Sequence, residues 1–275
     1  MGFKKTLGIV LLAVPAALAG SLHETVASQP GFEHFYNLDY DEALASFSAQ
    51  AAQTPVSADV YNHIAQTILY KQMYRSGLLS SDFIGGTKFM RTPKMPFSAE
   101  DDKEFHDALN RAISLSQERI AVNPNDTVAL YSLGVSYGLR ANYTFAVKKA
   151  WVEALHDATA ARKAHLRVTT LDPEFIDAKL TQGVNDYVVG SLPLQWKMMG
   201  FLGGFRGNKL RGIRTLKEVG EQGRLNRVDA MVLLAALYLR EQRPEDAIPV
   251  LTELTQAFPK NPLLRNELDK ALAAR

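Results

Sequence analysis

GFEHFYNLDYDEALASFSAQAAQTP, residues 31–55, opens on a small residue, Gly31, reaches a second one twelve positions later, Ala43, and a proline twelve beyond that, Pro55. The same register returns near the C-terminus in LAALYLREQRPEDAIPVLTELTQAFP, residues 234–259, with Ala235, Ala247 and Pro259. Between these two stretches Ala112 and Ala161 stand twelve before Pro124 and Pro173, while Ala65, Gly134 and Gly183 stand ten after Pro55, Pro124 and Pro173. The physical sense of the spacing is a helix hairpin. A small residue at the middle of each of two antiparallel helices lets the backbones approach, and proline ends the second because it cannot continue the hydrogen-bond ladder.

Self-similarity at such a period points to a repeat architecture, and this one resembles the tetratricopeptide (TPR) repeat, a 34-residue helix-turn-helix unit. The clearest matches are Gly31, Tyr40, Ala43, Phe47 and Pro55 in the first unit and Leu234, Ala235, Tyr238, Ala247, Leu251 and Pro259 in the last; the third keeps Leu130, Leu133, Gly134 and Tyr137. Ser116 and His165 occupy the usual bulky site of the second helix, and Arg224 stands where the fourth terminal proline would be. The resemblance implies an all-α, right-handed superhelix of antiparallel helix hairpins, read here as one domain over 20–275. Its units fall at about 24–57, 58–126, 127–175, 176–227 and 228–261, followed by a capping helix over 262–275.

The middle units are longer than the repeat. The twelve-residue separation of the two small positions grows to 47 from Ala65 to Ala112, 27 from Gly134 to Ala161 and 29 from Gly183 to Gly212. The first insertion, Lys71 to Lys103, carries Gly85, Gly86, Pro93 and Pro96 as breakers with Phe83, Phe89, Met90, Met95 and Phe97 between them, and reads as a long loop with hydrophobic anchors. The second has no breaker after Leu139, so it lengthens its two helices and places Arg140, Asn142, Tyr143, Lys148 and Trp151 near the top of an extended hairpin, where a peptide or an anionic group is a candidate ligand. The third, Val188 to Phe205, is almost devoid of polar side chains and is broken by glycine and proline. It reads as an apolar excursion that seals the inner face or touches a membrane interface.

Around this third insertion, Gly183, Tyr187, Ser191, Leu192 and Pro193, followed by Gly204, Phe205, Gly207, Asn208, Lys209, Gly212 and Ile213, resemble the motif of the eukaryotic inclusion-body-clearance family of TPR proteins. That family shows Asp and Arg where this chain has Asn208 and Lys209. The whole chain also resembles exported TPR proteins of soil bacteria of the acidobacterial type. These resemblances imply non-enzymatic proteins, linked in the eukaryotic case to lipid droplets and protein inclusions.

The N-terminus reads as a cleavable signal peptide over 1–19. Lys4 and Lys5 precede an apolar run from Leu7 to Val14, and Ala17-Leu18-Ala19 gives a small-residue end before Gly20. The run is too short for a bilayer span of about 20 residues, so export to the periplasm or beyond is expected. The chain has 275 residues, Lys+Arg 31 against Asp+Glu 29 and no cysteine. Cysteine's absence excludes thiol catalysis, Cys-ligated metals and disulfides, and without a basic block no nucleic-acid partner is expected. No His-Glu-x-x-His or His-x-His pattern occurs among His23, His34, His63, His106, His156 and His165, and no Gly-x-Ser-x-Gly elbow. Gly203 to Lys209 imitates a phosphate loop without its spacing or its strand. No metal, no cofactor and no catalytic residue is therefore expected.

In the TPR register the inner-face clamp positions carry Asn62 and Gln66 in the second unit, but Tyr131 and Val135 in the third and Leu180 and Val184 in the fourth. The two-carboxylate clamp of chaperone-binding relatives is absent, and Tyr131, Leu180, Val184, Tyr187 and Val232 make a less polar inner face. The expected function is a non-catalytic scaffold or adaptor of the cell envelope that holds a protein or peptide in its concave groove. Its candidate partner-binding residues are Asn62, Gln66, Tyr131, Arg140, Asn142, Tyr143, Tyr187, Trp196 and Lys209. The alternative is a carrier or sensor of an apolar small molecule or lipid that uses the 188–205 insertion, with peripheral membrane contact through the same stretch.

Overall fold

A computed structural model describes residues 31–53, 57–79, 93–192 and 207–275. The signal-like segment, Trp196 and most of the third insertion lie outside these residues, as do Phe83, Phe89 and Met90 of the first. Among the described residues the chain is all helix: α1 Phe32–Tyr36, α2 Tyr40–Gln53, α3 Ala58–Arg75, α4 Ala99–Val122, α5 Thr127–Tyr143, α6 Trp151–Leu171, α7 Lys179–Ser191, α8 Lys209–Gln222, α9 Arg227–Arg240, α10 Pro244–Ala257 and α11 Pro262–Ala273. Each helix packs on the next, with the most intimate pairs formed inside hairpins, such as α5 on α6 and α7 on α8. This is a TPR-like solenoid.

The small residues do what their spacing requires. Ala43, Ala65, Ala112, Ala161, Ala235 and Ala247 are buried to 2% exposure or less, and Gly134, Gly183 and Gly212 are buried too. A methyl group on Gly134 would come within 2.3 Å of His165 Nε2, and one on Gly212 within 2.6 Å of the Tyr187 backbone nitrogen. Gly31 has φ 103°, a left-handed conformation that favours glycine, and a methyl there would meet the Phe47 ring at 2.6 Å. Pro124, Pro173 and Pro259 each follow the residue that caps a second helix, Asn123, Asp172 and Phe258.

Where Arg224 replaces the fourth proline, tertiary contact supplies the stop. Asp177 Oδ1 accepts from the backbone N–H groups of Arg224, Leu225 and Asn226 at 3.0, 2.9 and 2.8 Å, and Asn226 Nδ2 donates back to the Asp177 carbonyl at 3.0 Å. A buried carboxylate thus organises the α8–α9 turn in place of a residue that cannot continue a helix.

The second insertion is helical as expected, with one addition. Thr144–Lys148 form a π-helical turn, and Lys149 takes a left-handed φ of 56° before α6 begins. The wide turn leaves the Ala146 carbonyl free for the Met95 N–H at 2.9 Å. Met95, 3% exposed, pins the described end of the first insertion across the α5–α6 joint, and Phe97 packs edge-on against Phe105 and Tyr143.

The two ends of the array meet. Asn261 Nδ2 donates to the Tyr36 carbonyl at 2.8 Å, the Lys260 N–H donates to Asn37 Oδ1 at 3.0 Å, and the rings of Tyr36 and Phe258 lie 5.1 Å apart. Phe32, Phe35, Tyr36 and Phe47 from the N-terminal helices share one core cluster with Leu234, Leu251, Leu254 and Phe258. Burial of this order, about 1.5–3 kcal/mol for each large side chain, makes the closure a substantial interface.

Candidate functional site

The closure turns the inner face of the array into a cavity of about 800 Å³, within the 300–1,000 Å³ typical of ligand pockets. Its wall is built mainly from the first helix of each hairpin. α1 contributes Phe32, Phe35 and Tyr36; α3 Asp59, Asn62, His63, Gln66, Tyr70 and Met73; α5 Tyr131, Val135 and Asn142; α7 Leu180 and Val184; α9 Asp229 and Val232; and α11 Leu264. The α3 residues recur three or four apart, so one helical stripe faces inward.

Most of the wall is apolar or aromatic, and its polar groups divide by whether they are partnered. Asn62 is engaged on both sides of its amide: Nδ2 donates to the Ser132 carbonyl at 2.9 Å and Oδ1 accepts from Ser136 Oγ at 2.7 Å, tying α3 to α5. His165 is held on both ring nitrogens. Burial depresses its pKa to about 4, so the ring is neutral with one N–H. The Tyr131 carbonyl can only accept, at 3.1 Å from Nε2, so Nε2 carries the proton and Nδ1 accepts from Thr181 Oγ1 at 2.6 Å. Asp59 accepts from Ser132 Oγ, and desolvation raises its pKa despite the opposing effect of Arg119.

Two groups are less well served. His63, packed between the rings of Phe32 and Phe47, has its pKa pushed down to about 4 by burial and its Nδ1 makes no hydrogen bond. Asp229, in the first turn of α9, has its pKa raised to about 6, chiefly by desolvation against the lowering effect of the Tyr36 hydroxyl, and further by the charge of Asp177. The Tyr36 hydroxyl approaches it without closing a well-formed hydrogen bond, and the phenols of Tyr40, Tyr70 and Tyr131 lie within electrostatic range, each with its pKa raised first by burial and in part by Asp229.

Of the residues singled out from the sequence, Asn62, Gln66, Tyr131 and Asn142 come together on this wall, and so do Leu180, Val184 and Val232 of the expected inner face. Tyr187 is 2% exposed and donates to Glu241 Oε1 at 2.7 Å, and Lys209 pairs with the same carboxylate, so both knit α7, α8 and α9 together. Arg140 and Tyr143 belong to a second place at the α5–α6 tip. There Arg140 makes a bidentate pair with Asp157 at 2.8 and 2.7 Å, and Tyr143 stacks on Phe105 and donates to Asp102. Arg140 and Asp157 line an open pocket of about 470 Å³ together with His106, Lys148 and His156. Trp196 lies outside the described residues.

No family model and no curated protein matches the chain. Among solved structures, it is similar to a thermophilic TPR protein of Thermus thermophilus: 16% identity over 88% of this chain and 95% of that one, with a TM-score of 0.44. The TPR-like assignment of the fold stands on the hairpin packing itself.

Sequence reading passed over Asp229, Tyr36, Tyr70 and His63. An acid in the first turn of a helix is already explained by the helix dipole, and aromatic residues near helix ends read as core. A signal was nevertheless present. Asp229 stands three before Val232, and Tyr70 four after Gln66, which puts each on the same inward stripe as a residue already assigned there. Among the described residues no group of His, Asp and Glu is arranged to hold a metal, and no helix is long and apolar enough to cross a membrane.

Proposed function

We propose that the protein acts by binding, as an exported carrier or receptor whose inner cavity holds a mainly apolar small molecule. The observation that carries this reading is the cavity itself: about 800 Å³, walled mainly by aliphatic and aromatic side chains, with polar groups such as Asn62, Gln66 and Asp229 set among them. The kinship with exported TPR proteins of soil bacteria and with the inclusion-body-clearance family belongs to the same proposal. Within the shared motif, Asn208 caps α8 by accepting from the Arg211 N–H at 2.9 Å, a role that the Asp of that family fills equally well.

The test is native mass spectrometry of the protein isolated gently from its own cell envelope. The expected result is a mass excess on the order of a few hundred daltons, the size that suits such a pocket, released on denaturation. Filling the cavity with Val184→Trp and Val232→Trp should abolish the excess and leave helicity intact. Retention of the same mass by the filled protein would overturn the reading.

A scaffold for a protein partner is the second reading. Hairpin arrays of this class generally mediate protein–protein interaction, and the α5–α6 tip exposes Trp151, Val152 and Leu155 at 42, 83 and 53%. An aromatic anchor amid exposed aliphatics is the composition of an interface centre. Substituting Trp151 and Val152 by Ser should then release a co-isolated polypeptide without disturbing the cavity's contents; an unchanged complex would remove this reading.

A further inference from the structure

We infer that the occupant of the inner cavity is an amphiphilic amine, whose ammonium head sits against Asp229 within the surrounding tyrosines and whose apolar body runs along Leu180, Val184 and Val232. The inference rests on the carrier reading above and narrows it to a ligand class.

Charge is the first support. Among the described residues that line the cavity the ionised side chains are acidic, Asp59, Asp229 and Glu267, and none is Lys or Arg. Glu267 is paired with Lys270 at 2.8 Å and Asp59 accepts from Ser132; among the described residues Asp229 has the Tyr36 hydroxyl beside it and no Lys or Arg on the cavity wall. A desolvated carboxylate without a cation is costly. Elsewhere the chain supplies three backbone N–H groups at Asp177 and a guanidinium at Asp157, whereas among the described residues Asp229 on the cavity wall has a phenol and no cation.

The second support is aromatic. Tyr36, Tyr70 and Tyr131 line the same cavity as Asp229, and aromatic rings in a cavity that also holds a carboxylate supply the two attractions, cation–π and ionic, that favour an alkylammonium group. A fatty acid or other anionic amphiphile would bring a like charge towards Asp59 and Asp229, with no cation among the described residues of the wall to receive it. Burial raises the pKa of Asp229 to about 6, so at neutral pH the carboxylate is mostly ionised and a cation entering the site meets a full negative charge.

The experiment is calorimetric titration of the protein below micellar concentrations with three probes that share one chain: decyltrimethylammonium, decanol and decanoate. The expected result is that the cation binds about tenfold or more tighter than either of the others, a preference of the size attributed to a desolvated cation–π site. Asp229→Asn should erase that preference while leaving decanol binding within about twofold, and Tyr70→Phe, which keeps the ring, should preserve it where Tyr70→Leu weakens it. Decanol or decanoate binding as tightly as the cation would overturn the inference and leave the carrier reading standing. Failure of all three probes would overturn both. The probe series is read on the unaltered chain, so it decides the matter even where a variant does not fold.

Discussion

Asp177 and Asp157, buried at the outer joints of the array, and Asp229, half-buried on its inner wall, are acids in opposite circumstances. Asp177 collects three backbone N–H groups and Asp157 a bidentate guanidinium, while Asp229 faces a cavity lined by tyrosines and its pKa is pushed up to about 6. The outer joints spend their charges on holding helices together. The inner wall turns its carboxylate towards a cavity, and the difference separates acids committed to joining helices from one that borders open space.

The comparison breaks most visibly at Asp177. Replacing it by Ala leaves three N–H groups of the α8–α9 turn without their acceptor, and with charged hydrogen bonds worth about 1.5–3 kcal/mol each the expected loss is roughly 3 kcal/mol or more in denaturant unfolding. A loss under about 1 kcal/mol would show that the turn holds without it. Next in size, and opposite in sign, is Asp229→Asn. Its folded pKa of about 6 stands above the ordinary aspartate value of 3.8, so between those values the folded chain binds more protons than the unfolded one. Stability therefore falls as pH rises through this window, and the cost is full above about pH 6. The variant should gain roughly 2–3 kcal/mol at pH 7.5 and nothing at pH 3.5. His63 and His165, held neutral down to about pH 4, pull the other way, losing stability as pH falls from 6.5 to 4, so the reading is taken as variant minus parent at each pH. A loss of stability at pH 7.5 would mean that the carboxylate is partnered after all. The smallest effect is Arg140→Ala, which strips Asp157 of its guanidinium. Arg140 is 37% exposed, and solvent screening reduces the expected cost to about 1–2 kcal/mol; an unchanged melting temperature would class the pair with ordinary surface ion pairs.

The hairpin array was readable because its determinants are local and repeated: small residues where backbones cross, and prolines where second helices stop. The inner face was readable in part for the same reason, since Asn62, Gln66, Tyr131, Val184 and Val232 occupy fixed positions of a known register. Arg140, Tyr143, Tyr187 and Lys209 show where that reasoning thins. Their residue types suit recognition, but the partners that engage them, Asp157, Asp102 and Glu241, come from other helices, and the spacing along one helix says nothing about a charge brought to it by another. Asn62 is a related case: its position faces the cavity as expected, and its amide is committed to Ser132 and Ser136 of the neighbouring hairpin.

The order of the residues was therefore enough for the helical class and the register of small residues, because helix propensity, backbone approach and proline's missing N–H act within a few tens of residues. Packing over the whole chain decided the rest. Asn261 reaches Tyr36 across 225 positions, and this contact converts an inner face into a cavity. Once it is closed, an aspartate that would be an ordinary exposed first-turn residue on an isolated helix becomes a desolvated charge among tyrosines. Desolvation depends on everything that surrounds a group in three dimensions, and no local pattern encodes it.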